Sequence, residues 1–186
     1  MKGKVLELRV LARHDRLWDI MFGKDFQVRP AEAVDGEGIA EAHIASIRSL
    51  GAKSYDPEIV DDWGAPRSGD RYRRAMERGE IFFVAVEREP GKNERIVGFS
   101  SYRFEQGKHR TAVYVRGDAA RNGVGTALFT FAEGEARQRG AREIDVDASL
   151  AAVAFYKANG FQELGTGEHA LESGKRMACV FMRKYF

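Results

Sequence analysis

The residues best equipped for chemistry form a short run, Arg121-Asn122-Gly123-Val124-Gly125-Thr126. It follows an apolar stretch ending in Tyr114-Val115-Arg116 and opens an amphipathic segment. The first N–H groups of a helix have no partner inside it, and the helix dipole adds positive potential, so a helix start is an anion site. Glycines there let the backbone approach a phosphate and adopt φ values closed to other residues. Arg121 would add a charge-assisted contact. Alone, Gly123 and Gly125 would equally serve close packing at a helix start. Two phosphate motifs are excluded. No Gly-Lys-Ser/Thr follows, so this is not a P-loop. No complete Gly-x-Gly-x-x-Gly follows a parallel first strand, so a dinucleotide fold is not indicated.

A second constellation lies downstream: Ser149, Ala152, Phe155-Tyr156 and Asn159-Gly160-Phe161. Helical spacing puts Ala152, Phe155 and Tyr156 on one face. Phe155 and Phe161 read as core aromatics. Tyr156 differs, because a buried phenol needs a partner for its O–H. His43 lies on an apolar helix face and is expected to be a satisfied core group. His14 and His169 have no metal-ligand spacing, and no metal is expected. The single cysteine, Cys179, is expected in the core of the last strand.

Stepping the periodicity along the chain places the elements that must hold these groups. Residues 1–25 read as an N-terminal extension to a single domain over 26–186. Strands are expected at Phe26–Arg29, Ile81–Val86, Ile96–Phe104, Thr111–Val115, Ile144–Asp147, Phe161–Leu164 and Arg176–Arg183. Helices are expected around Ile39–Ile47, after the Asp56 N-cap and Pro57, over Asp70–Arg78, Gly123–Arg139 and Ala151–Ala158. The fold class is mixed α/β (α+β), antiparallel first and then two β-α-β passes.

Bulk properties narrow the function. Hydrophobic residues make up 44% and charged residues 31% of 186, enough apolar surface for a core. Thirty basic against 28 acidic residues leave a net charge of +2. This gives no nucleic-acid or membrane-surface footprint. No apolar run approaches the ~20 residues of a membrane span. A lone cysteine suits a reducing compartment, and a cytoplasmic location is expected.

The two constellations, at this separation, resemble the GNAT superfamily of acyl-CoA-dependent N-acyltransferases. The likeness covers residues 26–186. That family's loop reads Gln/Arg-x-x-Gly-x-Gly/Ala, and after the next strand comes Asn-x-x-Ala-x-x-aromatic-Tyr-x-x-x-Gly-Phe. Here the second part runs Ser149, Ala152, Phe155-Tyr156, Gly160-Phe161. The stretch from Ser46-Ile47-Arg48 through Tyr55 to Trp63 resembles a large bacterial subgroup of mostly unassigned substrate. There are departures. Ala120 stands at the loop's first position, with Arg121 one place later, and Ser149 stands where Asn is common. The strand Thr111-Ala112-Val113-Tyr114 lacks the glutamate that often serves as base in the family.

The resemblance implies a seven-stranded, mostly antiparallel sheet with a splayed parallel pair. Acetyl-CoA would be the cosubstrate. Its pyrophosphate would sit on the amides of residues 121–126, and its pantetheine arm between strands 111–116 and 143–147. Cofactor contacts would come from Tyr114, Val115, Arg116, Arg121, Asn122, Gly123, Val124, Gly125, Thr126, Ser149, Ala152, Phe155 and Tyr156. The Val115 N–H would polarise the thioester carbonyl. An amine would attack directly, without an acyl-enzyme on Cys179. Tyr156 would face the departing sulfur. A phenol titrates near 10 and a thiol near 8.5, so full proton transfer is uphill by roughly 2 kcal/mol. Tyr156 is therefore expected to donate a hydrogen bond, and to be a full acid only if its pKa is lowered. Tyr55, Trp63 and Arg71–Arg74 would line the acceptor side, with Glu105 and His109 as candidate proton relays.

Three functions are open at this level: acetylation of a small-molecule primary amine, acetylation of a peptide or protein, or non-catalytic CoA binding. A closed pocket roofed by residues 50–80 would favour the first, and an open cleft the second. Neither nucleic acid nor membrane is an expected partner, and a homodimer is left open.

Overall fold

A computed structural model describes residues 26–87 and 94–186; the expected extension, 1–25, lies outside them. The elements in chain order are β1 (Phe26–Pro30), α1 (Gly36–Leu50), α2 (Pro57–Trp63), α3 (Asp70–Glu77), β2 (Ile81–Glu87) and β3 (Arg95–Glu105). Then come β4 (Lys108–Val115), α4 (Val124–Gln138), β5 (Glu143–Ser149), α5 (Val153–Ala158), β6 (Gln162–Ala170) and β7 (Arg176–Tyr185). Seven strands make one sheet in the order β1-β2-β3-β4-β5-β7-β6. Among the described residues only β4 and β5 pair in parallel; the other pairs are antiparallel.

Both faces of the sheet are covered, which is why β2 reads as an unbroken apolar run. On one face Phe83, Ala85 and Val97 pack with Leu128 and Phe129 of α4 and with Ile144 and Val146 of β5. On the other, Phe82, Val84, Val86 and Phe99 pack with Ile39 and Ala42 of α1 and Tyr72 of α3. A third cluster joins Ile47, Val60 and Trp63 to Met177 and Leu171.

The turn chemistry largely follows expectation. Asp56 precedes α2 in extended conformation with Pro57 at its start, although the Asp56 side chain makes no capping hydrogen bond. Gly140 and Gly160 take positive φ just past α4 and α5. The β5-α5-β6 crossover is present, but β7 inserts between its two strands. β6 also runs to Ala170 rather than stopping near Leu164. It is an edge strand exposed along nearly its whole length, so Gly165, Thr166, Gly167 and Glu168 break no apolar alternation that sequence could have shown.

Candidate active site

The parallel pair is joined at one register point, Arg110↔Asp145, near the start of β4. Beyond it β5 continues to pair with β7 on its far side, from Val146↔Met182 to Ser149↔Cys179. The edges of β4 and β5 that face each other therefore open into a cleft.

The backbone of β4 supplies that cleft with donors. Arg116 N–H bonds Val97 O at 2.8 Å, and Gly98 stands opposite Val115. Antiparallel partners alternate between hydrogen-bonded and non-hydrogen-bonded pairs. The N–H groups of Val113 and Val115 thus point away from β3 and into the opening. The Val113 N–H donates to the Tyr156 hydroxyl at 3.2 Å. Tyr156 is otherwise sealed, 3% exposed between Phe155 and Phe161. Burial pushes its pKa up, because the phenolate would be stranded in an apolar setting. The phenol therefore holds its proton, which suits donation of a hydrogen bond better than full proton transfer.

Two cavities share this cleft. One, about 320 Å³, runs from Val115 and Ser149 to Arg121, Gly123, Gly125 and Thr126. The other, about 330 Å³, lies on the α3 side and reaches Arg71, Arg110, Asp147, His169 and Cys179. Trp63, Val113, Tyr114, Ser149 and Ala152 line both, so the two halves meet at the middle of the opening.

At the loop, Arg121 and Gly123 adopt left-handed φ values of 69° and 82°. Gly123 caps α4 with no side chain over its amides. The first helical bond is Ala127 N–H to Gly123 O at 3.0 Å, so Val124, Gly125 and Thr126 have N–H groups with no partner in the helix. Gly125 serves packing as well: a Cβ there would stand 2.9 Å from the Phe155 ring. Gly123 thus supplies the left-handed turn ahead of α4, and Gly125 the close approach to Phe155. Asn122 is exposed. The Arg116 guanidinium lies 3.6 Å from Asp118.

The acceptor-side residues divide. Trp63 lines both halves and meets the Tyr114 ring edge-on, with centroids 6.4 Å apart. Arg71 lines the cavity and pairs with Glu172, whereas Arg73 is taken up by Asp70 and Glu37. The Tyr55 hydroxyl donates to Ala178 O at 2.6 Å and accepts from Leu150 N–H at 2.8 Å, so it ties the chain ahead of α2 to β7. Glu105 and His109 are not brought to the cleft. They sit at the β3–β4 hairpin, where Glu105 is held by Arg103 and His109 bonds the Tyr102 hydroxyl at 2.8 Å. His43 is buried with Nδ1 2.6 Å from the Tyr72 hydroxyl. Its Nε2 has no partner, so it is a half-satisfied core group. Burial holds the His43 pKa well below the usual imidazole range. Cys179 is 1% exposed, and burial raises its thiol pKa, the wrong direction for a nucleophile.

Sequence reasoning passed over Asp147. Continuing the Arg110↔Asp145 register places it level with Ala112, across the opening from the Tyr156–Val113 contact. Its carboxylate is 2.6 Å from Arg110 Nη2 and 3.5 Å from His169 Nδ1. The His169 contact and Arg110 hold its pKa low against the opposing effect of burial. The available signal was the polar run Asp145, Asp147, Ser149 on one face of an otherwise apolar strand.

A family model of the acetyltransferase (GNAT) domain matches residues 51–184. The chain belongs to the GNAT acetyltransferase family. It is accordingly an acyl-CoA-dependent N-acetyltransferase. It is similar to the GCN5-related N-acetyltransferase of Rhodopseudomonas palustris, with 27% identity, a TM-score of 0.72, and 86% and 95% of the two chains covered. The ribosomal-protein-alanine N-acetyltransferase of Brucella melitensis is 25% identical over 86% of this chain and 99% of that one, with a TM-score of 0.59. A phosphinothricin acetyltransferase of Sinorhizobium meliloti, solved with acetyl-CoA, is 20% identical over 87% and 89%, with a TM-score of 0.64, and shares the fold. Comparison with curated proteins finds no match. Among the described residues no group of His, Cys, Asp or Glu is arranged to hold a metal ion, and no helix is long and apolar enough to cross a membrane.

Proposed function

We propose that this GNAT protein transfers acetyl from acetyl-CoA directly to the primary amine of a small molecule. The observation that carries the reading is the meeting of two cavities at Val113, Tyr114, Ser149 and Ala152, one ending at the α4 amides and the other closed over by α2 and α3. The donor half fits acetyl-CoA. Amides of Val124, Gly125 and Thr126, without helix partners, suit a pyrophosphate, and Arg121 adds a cation at the same rim. The exposed edges of β4 and β5 suit an extended, amide-bearing arm, which can pair like a strand. Bound there, the cosubstrate supplies an activated acyl group.

The chain's own groups then do three things. The Val115 N–H, aimed into the opening, donates to the oxygen that gains charge as an amine adds. The Tyr156 hydroxyl donates to the departing sulfur without surrendering its proton. Trp63 and Tyr114 wall the junction and exclude water. No acyl-enzyme is needed, since Cys179 is buried and its thiol held protonated.

The roof supports a small acceptor over a polypeptide. Trp63, Arg71, Tyr72 and Ala75 cover the acceptor half, leaving about 330 Å³, within the range of small-molecule pockets. The likeness to the Brucella protein-alanine acetyltransferase keeps the polypeptide reading as the rival. Release of CoA thiol from acetyl-CoA, measured with amino acids, arylalkylamines, polyamines and N-terminal peptides, tests both. Turnover on free amines with none on peptides is expected. Turnover confined to peptides would replace the acceptor, and CoA binding without turnover would reduce the protein to a binding module.

A further inference from the structure

Resting on that reading, we propose that His169 is the general base that takes the proton from the acceptor ammonium, with Asp147 as its positioning residue. β4 lacks a carboxylate, yet a primary ammonium with a pKa near 10.4 must lose a proton before it can attack at neutral pH. Among the described residues that line the acceptor half, the candidates are few. Tyr72, Tyr114 and Tyr156 are phenols whose pKa values burial raises, Tyr72 to about 12, and burial raises the Cys179 thiol as well. Glu80 faces Arg103 at 3.6 Å, and it lies at the β2 end of the cavity, with β3 and β4 between it and β5. Asp147 is a carboxylate already engaged by Arg110 at 2.6 Å.

His169 remains, and its placement is specific. It starts on β6, opposite Met177, and its ring reaches Asp147 on β5 although β7 with Cys179 lies between those strands. Nδ1 is the nitrogen turned to Asp147, at 3.5 Å, which leaves Nε2 as the proton acceptor. The side chain is 48% exposed, so a proton taken from the amine can pass on to solvent. The charged groups around it are Asp147 on β5, Arg110 on β4 and the Glu168–Arg176 pair beside it on β6 and β7. Arg71, Arg103 and Glu80 face the same cavity from α3, β3 and the start of β2.

The protons balance. His169 takes one from R–NH3+ and returns it to solvent. The amine nitrogen bonds the thioester carbon, and the carbon–sulfur bond breaks with its electron pair leaving on sulfur. The second nitrogen proton is lost as the adduct collapses, and one proton ends on the CoA thiol. The net products are the amide, CoA thiol and one proton.

The test is the pH dependence of kcat/KM for His169→Asn and His169→Ala, with acetyl-CoA and the fastest acceptor of the amine panel. Asparagine keeps a donor for Asp147 but cannot accept the proton. We expect roughly 100-fold loss at pH 7, within the usual range for a lost general base. The deficit should shrink toward pH 10, as free amine becomes abundant, and added imidazole should restore part of the His169→Ala rate. CoA affinity by calorimetry should stay within twofold. A variant with wild-type rate and pH profile overturns the dyad while leaving the acetyl-transfer reading intact. So does a loss that is uniform across pH and unresponsive to imidazole. A wild-type protein that binds CoA and acetylates no amine overturns the functional reading first, and this one with it.

Discussion

The Tyr156 hydroxyl and the Val113 N–H are 3.2 Å apart, and this one bond closes α5 against the open edge of β4. It fixes the phenol in the acceptor cavity against Val113, which lines both cavities, and it fills the last outward β4 donor before Val115.

Tyr156→Phe should therefore lower kcat more than it changes acetyl-CoA affinity. A hydrogen bond to a charged group contributes about 1.5–3 kcal/mol, so a 10- to 100-fold fall in kcat is expected, with KM for acetyl-CoA within threefold. Because burial raises the Tyr156 pKa, the phenol stays protonated through the working range. Steady-state rates of the wild type should show no limb from it between pH 6 and about 9. Wild-type turnover in the Phe variant would remove Tyr156 from the mechanism.

The loop prediction separates its two glycines. Gly123→Ala places a Cβ at φ 82°, a strain of about 1–2 kcal/mol in the residue that caps α4. Gly125→Ala instead pushes a methyl to 2.9 Å from Phe155, shifting the ring that walls the donor half. Each should displace part of the donor half, and a loss of about 1–2 kcal/mol of CoA contacts corresponds to binding weakened about 5- to 30-fold. Only Gly125→Ala should recover when paired with Phe155→Leu, a smaller side chain. Isothermal titration of CoA into the variants decides it.

How much of this was legible beforehand follows from where each signal resides. Gly123, Gly125, Tyr156 and Gly160-Phe161 act through backbone conformation and helical spacing, which are local and survive in sequence. The sheet's middle was legible too, because β2 is buried on both faces and reads as an apolar run. The failures were non-local. Glu105 and His109 looked near the loop strand, but a hairpin sends them to its opposite end. Asp147 and His169 come together only because β7 inserts between β5 and β6, a strand order no periodicity encodes. Tyr55 looked like a ligand residue and is a tie between backbone segments, since its two partners lie 95 and 123 positions away.

A cationic rim suggests a way to sort acceptors. Arg71 lines the acceptor cavity and its pairing with Glu172 is solvent-exposed, 44% and 66%, so that pair adds little to stability. Arg71→Ala should leave the thermal midpoint within a degree or two. It should raise KM about 10-fold for amines bearing a carboxylate and leave uncharged arylalkylamines nearly unchanged. Parallel KM measurements on the two acceptor classes check this, and an equal effect on both would deny Arg71 a role in selection.

The last prediction concerns the frame far from the cleft. Arg29 at the start of the sheet grips Asp35 with two bonds of 2.7 and 2.8 Å, and the Glu32 N–H adds a third at 2.7 Å. Asp35 is 7% exposed. Burial alone would raise its pKa, but the Arg29 and Glu32 bonds outweigh that and leave it lowered. A carboxylate with a depressed folded-state pKa contributes stability that is complete above its unfolded value of about 3.9. That stability is lost as pH falls through the folded value. Asp35→Ala strands the guanidinium at a partly buried site and removes the bond that turns the chain into α1. It should cost about 3 kcal/mol at pH 7, in the range for breaking a buried pair. The gap to wild type should narrow below pH 4, where the wild-type carboxylate also protonates. Urea unfolding at pH 7 and at pH 3.5 measures both, and a gap that does not change with pH would place the cost in packing and not in the ion pair.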